Sequence, residues 1–225
     1  YDEGGSYGDM YALDFRRNDD GSIWLSSEGK PQVSTTDFVY LGNMNSKFQL
    51  GWGNTFSWKD FSLYFLINGR IGGKVVSLTE AYLDYQGVSK RVGDARDYAA
   101  AHNLMWTSPD GSITKPAMVM PDGNLAPIQD YYQTVGGNFL GSQYVYEATN
   151  FRLAEVSLGY TFRNLFGGVI RNLSLSVIGR NLFFIYKDAP VDPDIALSTK
   201  NGLGAFDIFN MPATRSVGVN LKIDF

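Results

Sequence analysis

Few side chains in this sequence could do covalent chemistry, and they are not grouped for it. The only histidine is His102, in a stretch that reads as irregular loop, where a solvated residue is a simpler reading than a catalytic base. There is no cysteine, hence no thiol nucleophile, thiolate metal site or disulfide framework. Neither a G-x-S-x-G elbow nor a phosphate-binding loop occurs. Asp188, Asp192 and Asp194 offer oxygen ligands of the kind Ca²⁺ takes. They lack the Asp/Asn-Gly spacing of a calcium loop, and Pro193 stiffens the turn between two of them, so a structural turn is the better reading. Gly72-Gly73 and Gly167-Gly168 have no phosphate-loop context and read as turns or close-packed backbone. Enzyme, metal and cofactor readings therefore have little support.

What remains is recognition chemistry. Trp106, Tyr131, Tyr132, Tyr144 and Tyr146 carry rings with polar handles, which can stack on sugars or peptides and hydrogen-bond them. Packing of a loop's own core is the competing reading. Arg70, Arg180, Glu155, Lys222 and Asp224 form a second group, either a hydrated, salt-bridged wall or the lining of a substrate path.

The elements that position these residues show strict alternation. Backwards from Phe225, apolar Ile223, Leu221, Val219 and Val217 alternate with Asp224, Lys222, Asn220, Gly218 and Ser216. That is a strand with one apolar and one wet face. The pattern recurs in residues 47–58 (Phe48, Leu50, Trp52, Phe56, Trp58) and 60–72 (Phe61, Leu63, Phe65, Ile67, Ile71). It recurs again in 151–162 (Ala154, Val156, Leu158, Tyr160, Phe162) and 172–183 (Leu173, Leu175, Val177, Phe183). Strands of about 11 residues reach on the order of 35 Å, enough when tilted for the ~25 Å apolar band of an outer-membrane barrel. A closing strand that ends on an aromatic suits such a barrel, and Phe225 then serves as an assembly signal or an interfacial anchor.

The connections are unequal in the barrel manner, with tight turns at Lys59 and after Arg163 and long excursions over 73–150 and 184–212. Long loops belong outside the cell and short turns in the periplasm. Within the first excursion, 78–85 reads as a short helix stopped by Gly87, and 116–141, rich in Pro, Gly and Asn, reads as irregular. Residues 10–16 read as the top of a further strand. Composition agrees with an all-β chain: aromatics are 15%, charged residues only 19%, and Gly numbers 25. A net charge of −4 argues against nucleic acid as a partner. Opening on Tyr1-Asp2-Glu3, the sequence reads as part of a longer chain.

An ordered set of short segments carries a family resemblance. They are Leu41-Gly42-Asn43, Ile71-Gly72-Gly73, Asn150-Phe151-Arg152-Leu153, Leu158-Gly159-Tyr160, Gly179-Arg180-Asn181-Leu182, Asp192-Pro193-Asp194, and Met211-Pro212-Ala213 through Phe225. Taken together they resemble the C-terminal part of SusC/RagA-type TonB-dependent transporters across nearly all of residues 1–225. Ser46 stands where that family usually has proline, and Asp194 where glutamate is frequent. The resemblance implies the C-terminal antiparallel strands of a large transmembrane β-barrel of roughly 22 strands, with long extracellular loops and a plug domain outside this chain. It also implies outer-membrane import of glycan or peptide fragments, a SusD-like surface lipoprotein as partner, and energy from the TonB complex through an upstream region.

Two other readings compete. One is a small passive pore or adhesin barrel. The other is a soluble carbohydrate-binding β-sandwich, in which the apolar faces would have to be covered.

Overall fold

The computed structural model describes residues 4–194 and 204–224. The chain divides into two compact units. Chain order begins β1 (Asp9–Phe15), β2 (Val33–Asn43), β3 (Phe48–Trp58), β4 (Phe61–Ile71), β5 (Lys74–Ser77), α1 (Leu78–Tyr85) and α2 (Lys90–His102). It continues β6 (Met105–Thr107), β7 (Thr114–Val119), β8 (Leu125–Pro127), α3 (Ile128–Gly137), α4 (Gly141–Tyr144) and β9 (Val145–Glu147). The last elements are β10 (Asn150–Leu165), β11 (Ile170–Lys187), β12 (Phe206–Asp207) and β13 (Ser216–Asp224).

The sheet unit holds one antiparallel sheet of 5 strands in the order β13-β11-β10-β4-β3. Residues directly opposite one another share a face, so the register can be followed across the sheet. Trp52 faces Ile67, Phe65 faces Val156, Leu158 faces both Leu63 and Val177, and Val177 faces Val219. These residues, with Phe48, Leu50, Leu175 and Leu221, make one apolar face. It is uncovered within its own unit: Trp52 is 59% exposed, Leu158 54% and Val219 69%. The opposite face carries Ser57, Ser62, Gly159, Ser176 and Asn220 in register. The alternation read from the sequence thus gives the observed faces.

The expected pairings also hold. β3 and β4 meet through Lys59 and Asp60, with Lys59 at φ 54° to close the turn. β10 pairs with β11, and β13 adds to β11. Rings gather near the short turn: Phe61 and Tyr160 lie 4.6 Å apart, Tyr160 and Phe162 4.7 Å, and Trp58 and Phe61 6.3 Å. Such a cluster suits the aromatic girdle at a membrane interface. β3 and β13 are the two edges, so the sheet does not close into a barrel.

Two details differ from the sequence reading. Ala154 belongs to a bulge: the register against β4 slips between Leu153 and Glu155, so Leu153 and Val156, not Ala154, share the apolar face. In β11 the strand runs on past Phe183 to Lys187, with Asn181 at φ 51° absorbing an extra residue opposite β10. Bulges of this kind re-aim side chains without ending the ladder.

The mixed unit comprises the described parts of Tyr1–Met44, Lys74–Tyr146 and Ala196–Asn210. It contains the β1-β2 pair, the sheet β12-β5-β9 and the sheet β6-β7-β8. Its core gathers Phe15, Val76, Ala81, Val92, Ile128, Val135 and Leu140. The helix expected at 78–85 is α1, capped by Ser77, whose Oγ accepts from Glu80 N–H at 3.2 Å. The stretch 116–141 is not irregular: it contains β7, β8 and α3. Ile128, Tyr131, Tyr132 and Val135 sit at helical spacing and are all buried, which is why α3 forms despite its glycines. His102 likewise ends α2 instead of lying in a loop; its Nδ1 is 2.9 Å from the Tyr98 carbonyl oxygen.

Gly136 makes the α1–α3 contact possible. A Cβ there would lie 2.3 Å from the Ala81 carbonyl oxygen and 2.8 Å from Tyr85 N. Those obstacles are backbone, so the helices themselves must separate. Gly136→Ala is expected to cost about 1–3 kcal/mol, the usual range for overpacking, seen as a lower denaturation midpoint. An unchanged midpoint would show that the two helices slide freely.

Candidate functional site

Polar chemistry in the mixed unit converges on Asp84, which is fully buried in α1. The Arg91 guanidinium of α2 ion-pairs with its Oδ2, and the Tyr144 hydroxyl donates to the same oxygen at 2.8 Å. Arg91 also lies over the Tyr144 ring at 4.7 Å and the Tyr132 ring at 5.8 Å. Beside this group the Tyr146 hydroxyl donates to Glu80. Burial works against the Arg91 charge, but the Asp84 hydrogen bond and charge outweigh it and hold the guanidinium firmly protonated. Burial raises the Tyr144 phenol, helped by the Asp84 charge, and raises Tyr146, helped by its bond to Glu80. Burial also pushes Tyr131 up to about 12.

These shifts set an alkaline limit. Phenols whose folded values lie above the ordinary 10.0 contribute stability that is complete below that value and is lost as pH rises through the folded ones. The denaturation midpoint of the mixed unit is therefore expected to fall from about pH 10 upward, more gently in Tyr144→Phe. A midpoint flat to about pH 12 would contradict the burial of these phenols.

The candidate recognition residues divide accordingly. Tyr131, Tyr132 and Tyr144 lie in the interior of the mixed unit; Tyr131 stacks on Phe15 with centroids 6.0 Å apart and meets Tyr132 edge-on at 5.2 Å. Tyr146 is half-buried. Trp106, in β6, is half-buried over Gly29, where a Cβ would come within 2.7 Å of the indole. Phe225 lies outside the described residues.

In the sheet unit, Arg180 and Glu155 are cross-strand partners on the polar face, 3.1 Å apart. Arg70 donates to the Pro193 carbonyl at 3.1 Å. The Asp192-Pro193-Asp194 turn is a clamp. Arg152 reaches Asp192 at 2.6 Å and Asp194 at 3.2 Å, and the Asn150 amide donates to Asp194 at 3.0 Å. Arg152 is buried, so the two carboxylates give its guanidinium its counter-charge, while the buried Asn150 amide also donates to the Ala148 carbonyl at 3.1 Å. Among the described residues, no group of three or more acidic or histidine side chains is placed to hold a metal ion.

Sequence reasoning missed Asp84, Arg91 and Glu80. Their partners are brought together by helix packing, and no local pattern marks them.

No protein-family profile matches the chain. A curated relative, TonB-dependent receptor P3 of Formosa agariphila, is 23% identical over 211 residues. The match covers 90% of this chain but only 19% of the relative, so the chain spans about a fifth of that protein's length. Among solved structures, the RagAB peptide importer in its open-open state matches with TM-score 0.58 at 15% identity, covering 96% of this chain and 22% of the matched one. A second RagAB peptide transporter structure matches with TM-score 0.57 at 16% identity over 96% of this chain and 22% of the other. The chain is thus a distant homologue of a TonB-dependent receptor and shares the fold of part of a RagAB chain.

Proposed function

We propose that the chain supplies C-terminal strands and extracellular loops to an outer-membrane, TonB-dependent importer of glycan or peptide fragments. The observation that carries this is the sheet face on which every strand, β3 to β13, presents exposed aliphatic or aromatic side chains. Lipid is the solvent that such a face fits, and the opposite polar face fits a hydrated lumen. The two open edges fit a sheet completed by further strands, because unpaired backbone groups are not tolerated in hydrocarbon. A SusD-like lipoprotein over the outer loops and TonB acting through the upstream region complete the proposal. RagAB, named as a peptide importer, supports the kind of assembly. Of the candidate substrate contacts, Trp106, Tyr146 and Arg70 are half-buried and Arg180 is exposed.

The test uses the full-length protein in cells. It should fractionate with the outer membrane, require detergent for extraction, co-purify with a lipoprotein, and take up labelled oligosaccharide or peptide only when TonB is present. Recovery as a soluble protein sinks the membrane reading. Uptake that continues without TonB points to a passive pore.

A further inference from the structure

The connection between β11 and β13 returns to the sheet through its first turn. Asp192-Pro193-Asp194 lies against the polar face, because the groups that hold it all belong to that face. Ile67 and Leu153 stand opposite one another on the apolar face, so Asn68, Arg70, Arg152 and Asn150 alternate to the other side. Asp192 is the hub. Besides Arg152, it accepts from the Asp194 N–H at 3.1 Å and the Ala213 N–H at 3.3 Å. Ala213 lies just before β13, so one carboxylate ties the sheet to both the outgoing and the returning chain. Beside the turn the polar face has a recess of about 500 Å³, whose polar lining is Gln49, Asn68, Arg70, Asn150 and Asp194.

Two observations bear on how firmly the turn is fastened. First, the fastening is mainly electrostatic. Of residues 188–194 only Ala189 and Pro193 are buried, so apolar packing contributes little. The Arg152 and Asp192 side chains are 11% and 6% exposed, and an ion pair this far out of water gains little beyond its desolvation cost. Second, the fastening is incomplete. Arg152 Nε is buried and has no partner among the described residues, whereas buried donors are normally satisfied. Opening the turn lets water reach that group. The Arg152 guanidinium also lies 4.3 Å from the centre of the Phe184 ring, and this contact stays in place when the carboxylates leave. The side chain that holds the turn therefore has a resting place without it.

We propose that Asp192-Pro193-Asp194 is a releasable latch. Closed, it straps the β11–β13 connection across the polar face and covers Asn150 and Arg152. Open, it uncovers both, frees the Arg152 charge and widens the recess beside them. The latch itself depends only on the sheet unit. Its place in transport rests on the import reading, in which the polar face is the lumen wall and the latch sets how far this connection projects into the lumen.

The test is thiol labelling of the full-length protein carrying Asn150→Cys, with the unsubstituted protein as background. Asn150 is 2% exposed behind Asp194, and replacing it leaves the Arg152 ion pairs in place. N-ethylmaleimide should label this thiol far more slowly than a free one, at a rate indifferent to low urea, because the opening is local. Adding Asp192→Asn should speed labelling about tenfold, and adding Asp194→Asn should speed it less, with the far-ultraviolet circular dichroism of the sheet unchanged. Hydrogen exchange gives a readout that needs no cysteine. The Asp194 and Ala213 amides, which both donate to Asp192, should exchange together and well before the amides of the β10–β11 ladder. Labelling that climbs steeply with urea, equal labelling with and without the two substitutions, or exchange of both amides as slow as the ladder overturns the latch. Cell fractionation and TonB-dependent uptake are measured in parallel. An opening latch in a soluble protein removes only the lumen reading, and TonB-dependent uptake with a latch that never opens removes only the latch.

Discussion

Replacing Asp84 with alanine is expected to destabilise the mixed unit by about 3–5 kcal/mol, the range for breaking a buried ion pair from one side. The substitution leaves the Arg91 guanidinium beside two rings without its counter-charge and removes the acceptor of the Tyr144 hydroxyl. Arg91 keeps 36% of its side chain exposed, so water screens part of the loss and the lower end of that range applies. Asp84→Asn, which keeps an acceptor for Tyr144, should cost less. The measurement is urea denaturation of the full-length protein, with limited proteolysis around α1 and α2 to locate the change. Wild-type resistance in Asp84→Ala would show that Arg91 and Tyr144 find other partners.

A cation on the apolar sheet face is expected to cost nearly as much. Val219 lies mid-strand in β13 opposite Val177, and Val219→Arg should cost about 2–4 kcal/mol in a bilayer, the price of arginine near the midplane of an outer-membrane barrel. Ser174→Arg, on the polar face opposite Thr161 and Lys222, should be mild. Folding of the full-length protein into lipid vesicles separates the two. Equal losses would mean that the apolar face does not meet lipid.

The sheet unit was legible because its physics is local. Alternation at period 2 marks each strand, and a face shared by neighbours fixes the register. The strands expected at 47–58 and 60–72 appear as Phe48–Trp58 and Phe61–Ile71. The bulge at Ala154 was not legible, since a small apolar residue fits the alternation equally well. β2 escaped notice because Ser34-Thr35-Thr36-Asp37 interrupts any apolar alternation. α2 was missed for a different reason: Lys90 to Asp97 is largely charged, and only Val92 and Ala99 of the helix are buried. α3 was hidden by Pro127, Gly136 and Gly137, although Gly136 is there to admit α1. The polar centre at Asp84 depends wholly on tertiary packing. Composition exposes the rings around it but not which of them turn inward.

β4 and β10 pair directly although residues 74–149 lie between them, with Arg70 opposite Asn150. The two ends of that excursion are fastened to each other: Ala148 N–H donates to the Gly73 carbonyl at 2.9 Å, and Gly72 N–H to the Thr149 hydroxyl at 3.0 Å. Gly72 and Gly73 both take positive φ, which lets the chain leave the ladder sharply. For a lineage, this is a socket. Recombination can exchange, lengthen or trim what is inserted there while the register of the sheet is inherited intact. Changes in the length of that segment leave the register of β4 against β10 untouched, so it can vary on an evolutionary clock separate from that of the strands.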